Sequence, residues 1–207
     1  MLIKDYDIEE VTNQNDIEEC TIDILRKWQN EDIHRLHFHF SGHGIINQTV
    51  DAYELDQDVM DADTPIWHCL VGNNGDRSLC SVHNIKHLLT QLNPDIITIT
   101  LDCCCSFQRT RKKTGTKIRL AKLAPIPPEA WRKMVTFYST CKSLDSNDED
   151  SFSKELLKVY QEQNHQIPIH KMAKMVKDSW NNRRVKQLCT MEIVEVADNW
   201  KNKNWPL

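Results

Sequence analysis

Apolar positions along this chain recur with two periods. Between residues 15 and 29, Ile17, Cys20, Ile24 and Trp28 fall at helical spacing, with Asn15 or Asp16 placed to cap the first turn. "SVHNIKHLLTQLN" at 81 to 93 repeats the pattern and stops at Pro94. Two more helices are predicted at 151 to 162 and 169 to 183. Between them stand short runs rich in β-branched and aromatic residues: "IHRLHFHFSG" (33–42), "DIITITLDC" (95–103), "WRKMVTFYSTC" (131–141) and "QLCTMEIVEVA" (187–197). The second is apolar on both faces, as strands inside parallel sheets are. The first is expected to end in a Gly-flanked turn at Ser41-Gly42-His43-Gly44.

Strands alternating with helices predict an α/β fold, a three-layer α/β/α sandwich around a mostly parallel sheet. Such domains usually open with an apolar strand at the sheet centre. "MLIKDYDIEEV" offers only a weak one, so the first strand is expected to be missing. Residues 47 to 80 read as a long excursion with short strands, 106 to 130 as a long loop and 143 to 150 as an acidic loop. No internal repeat interrupts the pattern, and residues 1–207 are read as one domain.

Composition narrows the partners. Hydrophobic residues make up 40% and charged residues 27%, which suits a globular chain. A net charge of -4 gives no footprint for nucleic acid or an anionic membrane, and "RTRKKTGTKIR" (109–119) reads as a solvated loop. No run approaches the roughly 20 apolar residues that cross a bilayer, and the acidic N-terminus lacks the apolar core of a signal peptide. The eight cysteines, at 20, 69, 80, 103, 104, 105, 141 and 189, are therefore expected as free thiols in a reducing, cytoplasmic setting. The six Trp, among them Trp28, Trp67, Trp131 and Trp180, are expected mostly in the core.

Candidate chemistry sits where two predicted strands end. His43 follows the first strand, and Cys103, Cys104 and Cys105 follow "IITITLD". In open α/β sheets ligands bind at the carboxyl ends of strands. His43 and Cys104 are 61 residues apart with one predicted helix between, which suits two parallel strands and a crossover. A histidine beside a thiol lowers its pKa and later protonates a leaving group. Successive strand residues face opposite ways, so the three thiols cannot all meet His43.

"HFSGHG" followed by "ITLDCCCS" resembles the caspase-like cysteine peptidases, which comprise caspases, metacaspases and paracaspases. "VTFYSTC", "SFSKELL" and "QLCTMEIVE" resemble the strand, helix and final strand that follow, so the likeness spans roughly residues 10 to 200. It implies a Cys/His dyad of Cys104 and His43, with the amides of Gly44 and Cys104 as oxyanion hole. Asp102 stands where metacaspases and paracaspases carry an aspartate that holds a basic P1 side chain. Asp145 stands near a second acid of the paracaspase pocket. Cleavage after Arg or Lys is implied, in protein or peptide substrates. Residues 106 to 130 match the loop between subunits, and the last strand matches the one through which caspases form homodimers. The chain departs from the pattern at Phe107, where a glycine is usual, and at its short N-terminus, which suggests truncation relative to the family. The alternative is an inactive pseudopeptidase serving as a protein-interaction module.

Other residues carry plainer readings. Cys103 and Cys105 pack as small hydrophobes. Zinc would need C-x-x-C pairs that the sequence lacks. His37 and His39 share one face of a strand and read as half-exposed strand residues rather than metal ligands. "DSNDED" (145–150) could attract Ca²⁺, as metacaspases can use it, but lacks the glycine and terminal glutamate of an EF-hand loop, so no cofactor is expected.

Overall fold

The computed structural model describes residues 9–12, 16–46, 68–73, 79–103, 106–107, 125–139, 152–162, 168–181 and 190–193. In chain order the elements are α1 (Ile17–Trp28), β1 (Arg35–Ile46), β2 (His68–Val71), β3 (Leu79–Ser81), α2 (Val82–Thr90), β4 (Ile96–Cys103), β5 (Ser106–Phe107), α3 (Pro128–Trp131), β6 (Met134–Tyr138), α4 (Phe152–Glu162), α5 (Ile169–Asn181) and β7 (Thr190–Ile193).

Local chemistry sets the helix starts. The Asp16 carboxylate accepts from the Glu19 N–H at 2.9 Å, and the Ser81 hydroxyl accepts from the His83 N–H at 3.1 Å. Each satisfies a donor that the first turn leaves orphaned. In α1 the buried positions are Thr21 and Leu25, with Ile17, Cys20, Ile24 and Trp28 only half-buried. The buried line through Thr21 and Leu25 thus runs beside the stripe that periodicity predicts, and Ile17 packs on the same core. Trp28 and Trp131 are half-buried at the margin of the core rather than inside it.

One sheet runs in the order β3-β2-β1-β4-β6-β7, with β5 beside β1. Parallel pairs join β1 to β4, β1 to β5 and β4 to β6. Antiparallel pairs join β1 to β2, β2 to β3 and β6 to β7. The sheet is thus parallel at its centre and antiparallel at its edges, not parallel throughout. β2 and β3 fold back as a meander on one edge, and on the other β7 returns antiparallel to β6 after two helices, α4 and α5. Of the opening segment whose weakness suggested a missing first strand, residues 9–11 are described and form no strand, and the rest lies outside the described residues.

All eight residues of β4 are buried. Ile97, Ile99, Leu101 and Cys103 point into a core with Leu25 of α1 and Val82, Ile85, Leu88 and Leu89 of α2. By strand alternation Ile96, Thr98, Thr100 and Asp102 point the other way, toward the layer begun by α4, whose Ser153 bonds to Asp102. The three-layer α/β/α arrangement follows from these two faces. Among the described residues no helix is long and apolar enough to cross a membrane.

Candidate functional site

β1 is longer than its sequence suggests. It runs through Ser41-Gly42-His43-Gly44 to Ile46 without a turn. Its first eight residues pair with β4, and from His43 onward it pairs with β2, with His43 opposite Val71 and Gly44 opposite Leu70. Ladder bonds to a second partner keep the segment extended where the glycines predict a bend. Gly42 serves a close approach instead: a Cβ there would lie 2.9 Å from the Phe40 ring. His43 is exposed, and Gly44 is buried.

The register between these strands is uniform. Arg35 lies opposite Ile96, Ser41 opposite Asp102 and Gly42 opposite Cys103, always 61 positions on. β5 resumes beside β1 with the same offset, Ile45 opposite Ser106 and Ile46 opposite Phe107. Phe107, where a glycine is usual, is therefore a strand residue. Cys104, Cys105 and Asp145 lie outside the described residues, as does the acidic loop considered for Ca²⁺.

Strand alternation places His37, His39, Ser41 and His43 on one side of β1 and Leu36, Phe38 and Phe40 on the other. The second group packs on the core of α1 and α2. The first shares the side of Asp102, since paired residues of neighbouring strands face the same way. The His37 Nδ1 sits 2.7 Å from the Thr98 hydroxyl, and burial, helped by His39, pushes the His37 pKa down to about 4. Desolvation also lowers His39, against an opposing pull from Asp102. Both rings therefore favour the neutral form on the way to the exposed His43.

Asp102 is 7% exposed. Its Oδ2 accepts from the backbone N–H of Ser153 at 3.0 Å and from its hydroxyl at 2.6 Å. On the far side of β4, Ser139 meets the backbone of Cys103. Lys86 is another residue that the hydrophobic pattern does not reveal. It is 1% exposed in α2, with its Nζ 3.3 Å from the Tyr138 hydroxyl and 5.1 Å above the Trp131 ring. Nothing in a helical period marks this lysine as interior, and the two serines resemble ordinary loop and cap residues.

The thiols divide by environment. Cys69 is buried, and desolvation pushes its pKa up to about 12. Cys80 is raised further in the same direction by burial and then by Glu18. Cys20 is raised by burial and by Asp23. These are packing thiols, poor nucleophiles near neutral pH. Among the described residues no group of three or more His, Cys, Asp or Glu could hold a metal ion.

A family model described as "Caspase domain" matches residues 4–199 of the chain. A search of curated proteins finds no match.

Proposed function

The chain belongs to the caspase-domain family, a family of cysteine-type peptidases, and from that premise we propose that it hydrolyses peptide bonds through a dyad of His43 and Cys104. The observation that carries this reading is the shared register. β1 pairs with β4 up to Gly42 opposite Cys103 and with β5 from Ile45 opposite Ser106, at one offset on both sides of the interval. A chain holding that offset across two residues brings position 104 opposite position 43. Laterally paired residues share a face and stand about 5 Å apart, within reach of a thiol and an imidazole.

In this reading the His43 ring takes the Cys104 proton, and the thiolate attacks the scissile carbonyl carbon. The carbonyl π electrons move to oxygen, and that oxyanion meets the amides of Gly44 and Cys104. Collapse breaks the C–N bond, and His43 gives its proton to the departing amine. Water, deprotonated by His43, then releases the acyl group and restores the thiol.

Asp102 is proposed as the anchor for a basic P1 side chain, with Asp145 as a second acid. Asp102 shares the side of His43, one strand over and two residues before position 104. A carboxylate accepts about four hydrogen bonds, so its pair from Ser153 is compatible with a guanidinium contact. Proteins and peptides with Arg or Lys at P1 are the proposed substrates. Two copies pairing through β7, the last strand of the sheet order, is the proposed assembly.

The test is turnover of fluorogenic peptides ending in Arg, Lys or Asp, by the wild-type chain and by Cys104→Ala. Loss of turnover in the variant, with preference for Arg or Lys, supports the assignment. Preference for Asp refutes the S1 reading, and equal turnover in both proteins refutes the dyad. A second reading, an inactive family member acting as an interaction module, is favoured by Phe107 at the usual glycine position, held beside Ile46. It predicts no turnover and no fast-reacting thiol.

A further inference from the structure

One hydroxyl braces the end of β4 from the neighbouring strand. The ladder between β4 and β6 closes at Leu101 opposite Tyr138. The next residue, Ser139, is 0% exposed and extends the hold. Its backbone N–H donates to the Leu101 carbonyl at 2.9 Å. Its hydroxyl accepts from the Cys103 N–H at 3.2 Å and donates to the Cys103 carbonyl at 3.3 Å. A serine hydroxyl can donate once and accept twice, so both bonds form together. A side chain that grips the N–H and the C=O of one residue holds the peptide planes on either side of it.

We propose that Ser139 is a positioning residue for acyl transfer, fixing the peptide unit that links Cys103 to Cys104. The inference rests on the peptidase reading above, in which the Cys104 amide receives the oxyanion. The Cys103 carbonyl and the Cys104 N–H are two ends of one planar unit, pointing opposite ways across a trans bond. Holding the carbonyl toward β6 aims the N–H to the opposite side of β4, that of β1. A hydrogen bond onto the carbonyl also polarises the unit and strengthens the N–H as donor. Oxyanion-hole donors act only when held about 3 Å from the developing charge. Loss of the brace therefore acts on the tetrahedral transition state and spares thiolate formation.

The experiment compares full-length wild type, Ser139→Ala, Ser139→Cys and Cys104→Ala. Two rates are measured: hydrolysis of an Arg-P1 fluorogenic peptide, resolved into kcat and KM, and iodoacetamide alkylation of Cys104, read by peptide mapping. Alkylation is a displacement in which the thiolate sulfur bonds to carbon as iodide leaves, so no oxyanion forms. The expected result for Ser139→Ala is a kcat lower by roughly 10- to 100-fold, below the loss for deleting a donor outright. KM and the alkylation rate stay within twofold of wild type. Ser139→Cys, nearly the same size but a weak hydrogen-bonding group, shows the same split and supplies the measurement if the alanine variant does not fold. Turnover within twofold of wild type in a folded variant overturns the proposal, and so does alkylation that falls in step with turnover. Wild-type turnover equal to that of Cys104→Ala overturns the peptidase reading and this inference with it. Cys104-dependent turnover that is indifferent to Ser139 overturns this inference alone.

Discussion

Ser153 donates both its backbone N–H and its hydroxyl to one carboxylate oxygen of Asp102, at 3.0 and 2.6 Å. The two residues are 51 apart in sequence, and the contact joins the end of β4 to the first turn of α4. Asp102 thus does for α4 what Asp16 does for α1, from a distant strand. Its negative charge also suits the positive end of the helix dipole.

That pair of hydrogen bonds predicts separable effects. Asp102→Ala removes a cap and leaves two donors unmet, which destabilises the chain by about 1–3 kcal/mol. It also abolishes preference for Arg or Lys at P1. Ser153→Ala keeps the carboxylate, loses about 1 kcal/mol and retains the preference. Urea denaturation and peptide turnover read the two effects. Unchanged stability in Asp102→Ala would remove the capping role, and retained preference would remove the specificity role.

His37 makes stability fall on the acid side. Its folded pKa of about 4 lies below the ordinary 6.5, so the unfolded chain binds a proton that the folded chain refuses. Stability is full above pH 6.5 and is lost as pH falls toward 4. The shift corresponds to at most about 3 kcal/mol. His37→Gln, which cannot charge, is expected to flatten the dependence of the urea midpoint on pH between 4 and 6.5. An unchanged slope would show that His37 does not govern it.

Thiol reactivity is expected to separate the proposed nucleophile from the packing cysteines. Burial holds Cys69 and Cys80 in the protonated form, so limiting iodoacetamide at pH 7 leaves them unlabelled in the folded chain. As the proposed nucleophile, Cys104 is expected to react at least 10-fold faster than either. Mass mapping after a short pulse checks the order, and equal labelling of Cys69 and Cys104 would contradict it.

Lys86 is a buried cation against aromatic rings, 5.1 Å from Trp131 and 5.8 Å from Tyr138. Lys86→Met preserves most of the aliphatic stem and deletes the charge. A loss of about 1–3 kcal/mol is expected from the forfeited cation–π and hydroxyl contacts. Lys86→Arg, whose planar guanidinium does not match a compact ammonium, is expected not to restore it fully. A stability equal to wild type in Lys86→Met would show that the stem alone matters.

Much of the architecture is legible along the chain because its signals are local. Asp16 and Ser81 cap helices whose apolar periods are plain, and the unbroken run from Ile96 to Cys103 announces a strand buried on both faces. The caspase-domain match agrees with the pairing of "SGHG" and "LDCCCS". The expected turn at Gly42 and Gly44 is missing because strand continuation there depends on β2, a partner more than 20 residues away. Glycine permits a bend, but a ladder on the far side holds the chain straight. The antiparallel edges of an otherwise parallel sheet have the same origin, since strand direction is set by where the chain returns.

From the order of its residues alone, this chain determined the identity of its main helices and central strands and the two short motifs proposed to carry its chemistry, because caps, periods and thiol or imidazole side chains act within a few residues. Tertiary structure alone decided that β1 changes partners at His43, that Asp102 ties down α4 through Ser153, and that Ser139 grips Cys103. Each of these joins residues tens of positions apart. Such contacts form only when packing brings distant segments together, and no local period encodes them.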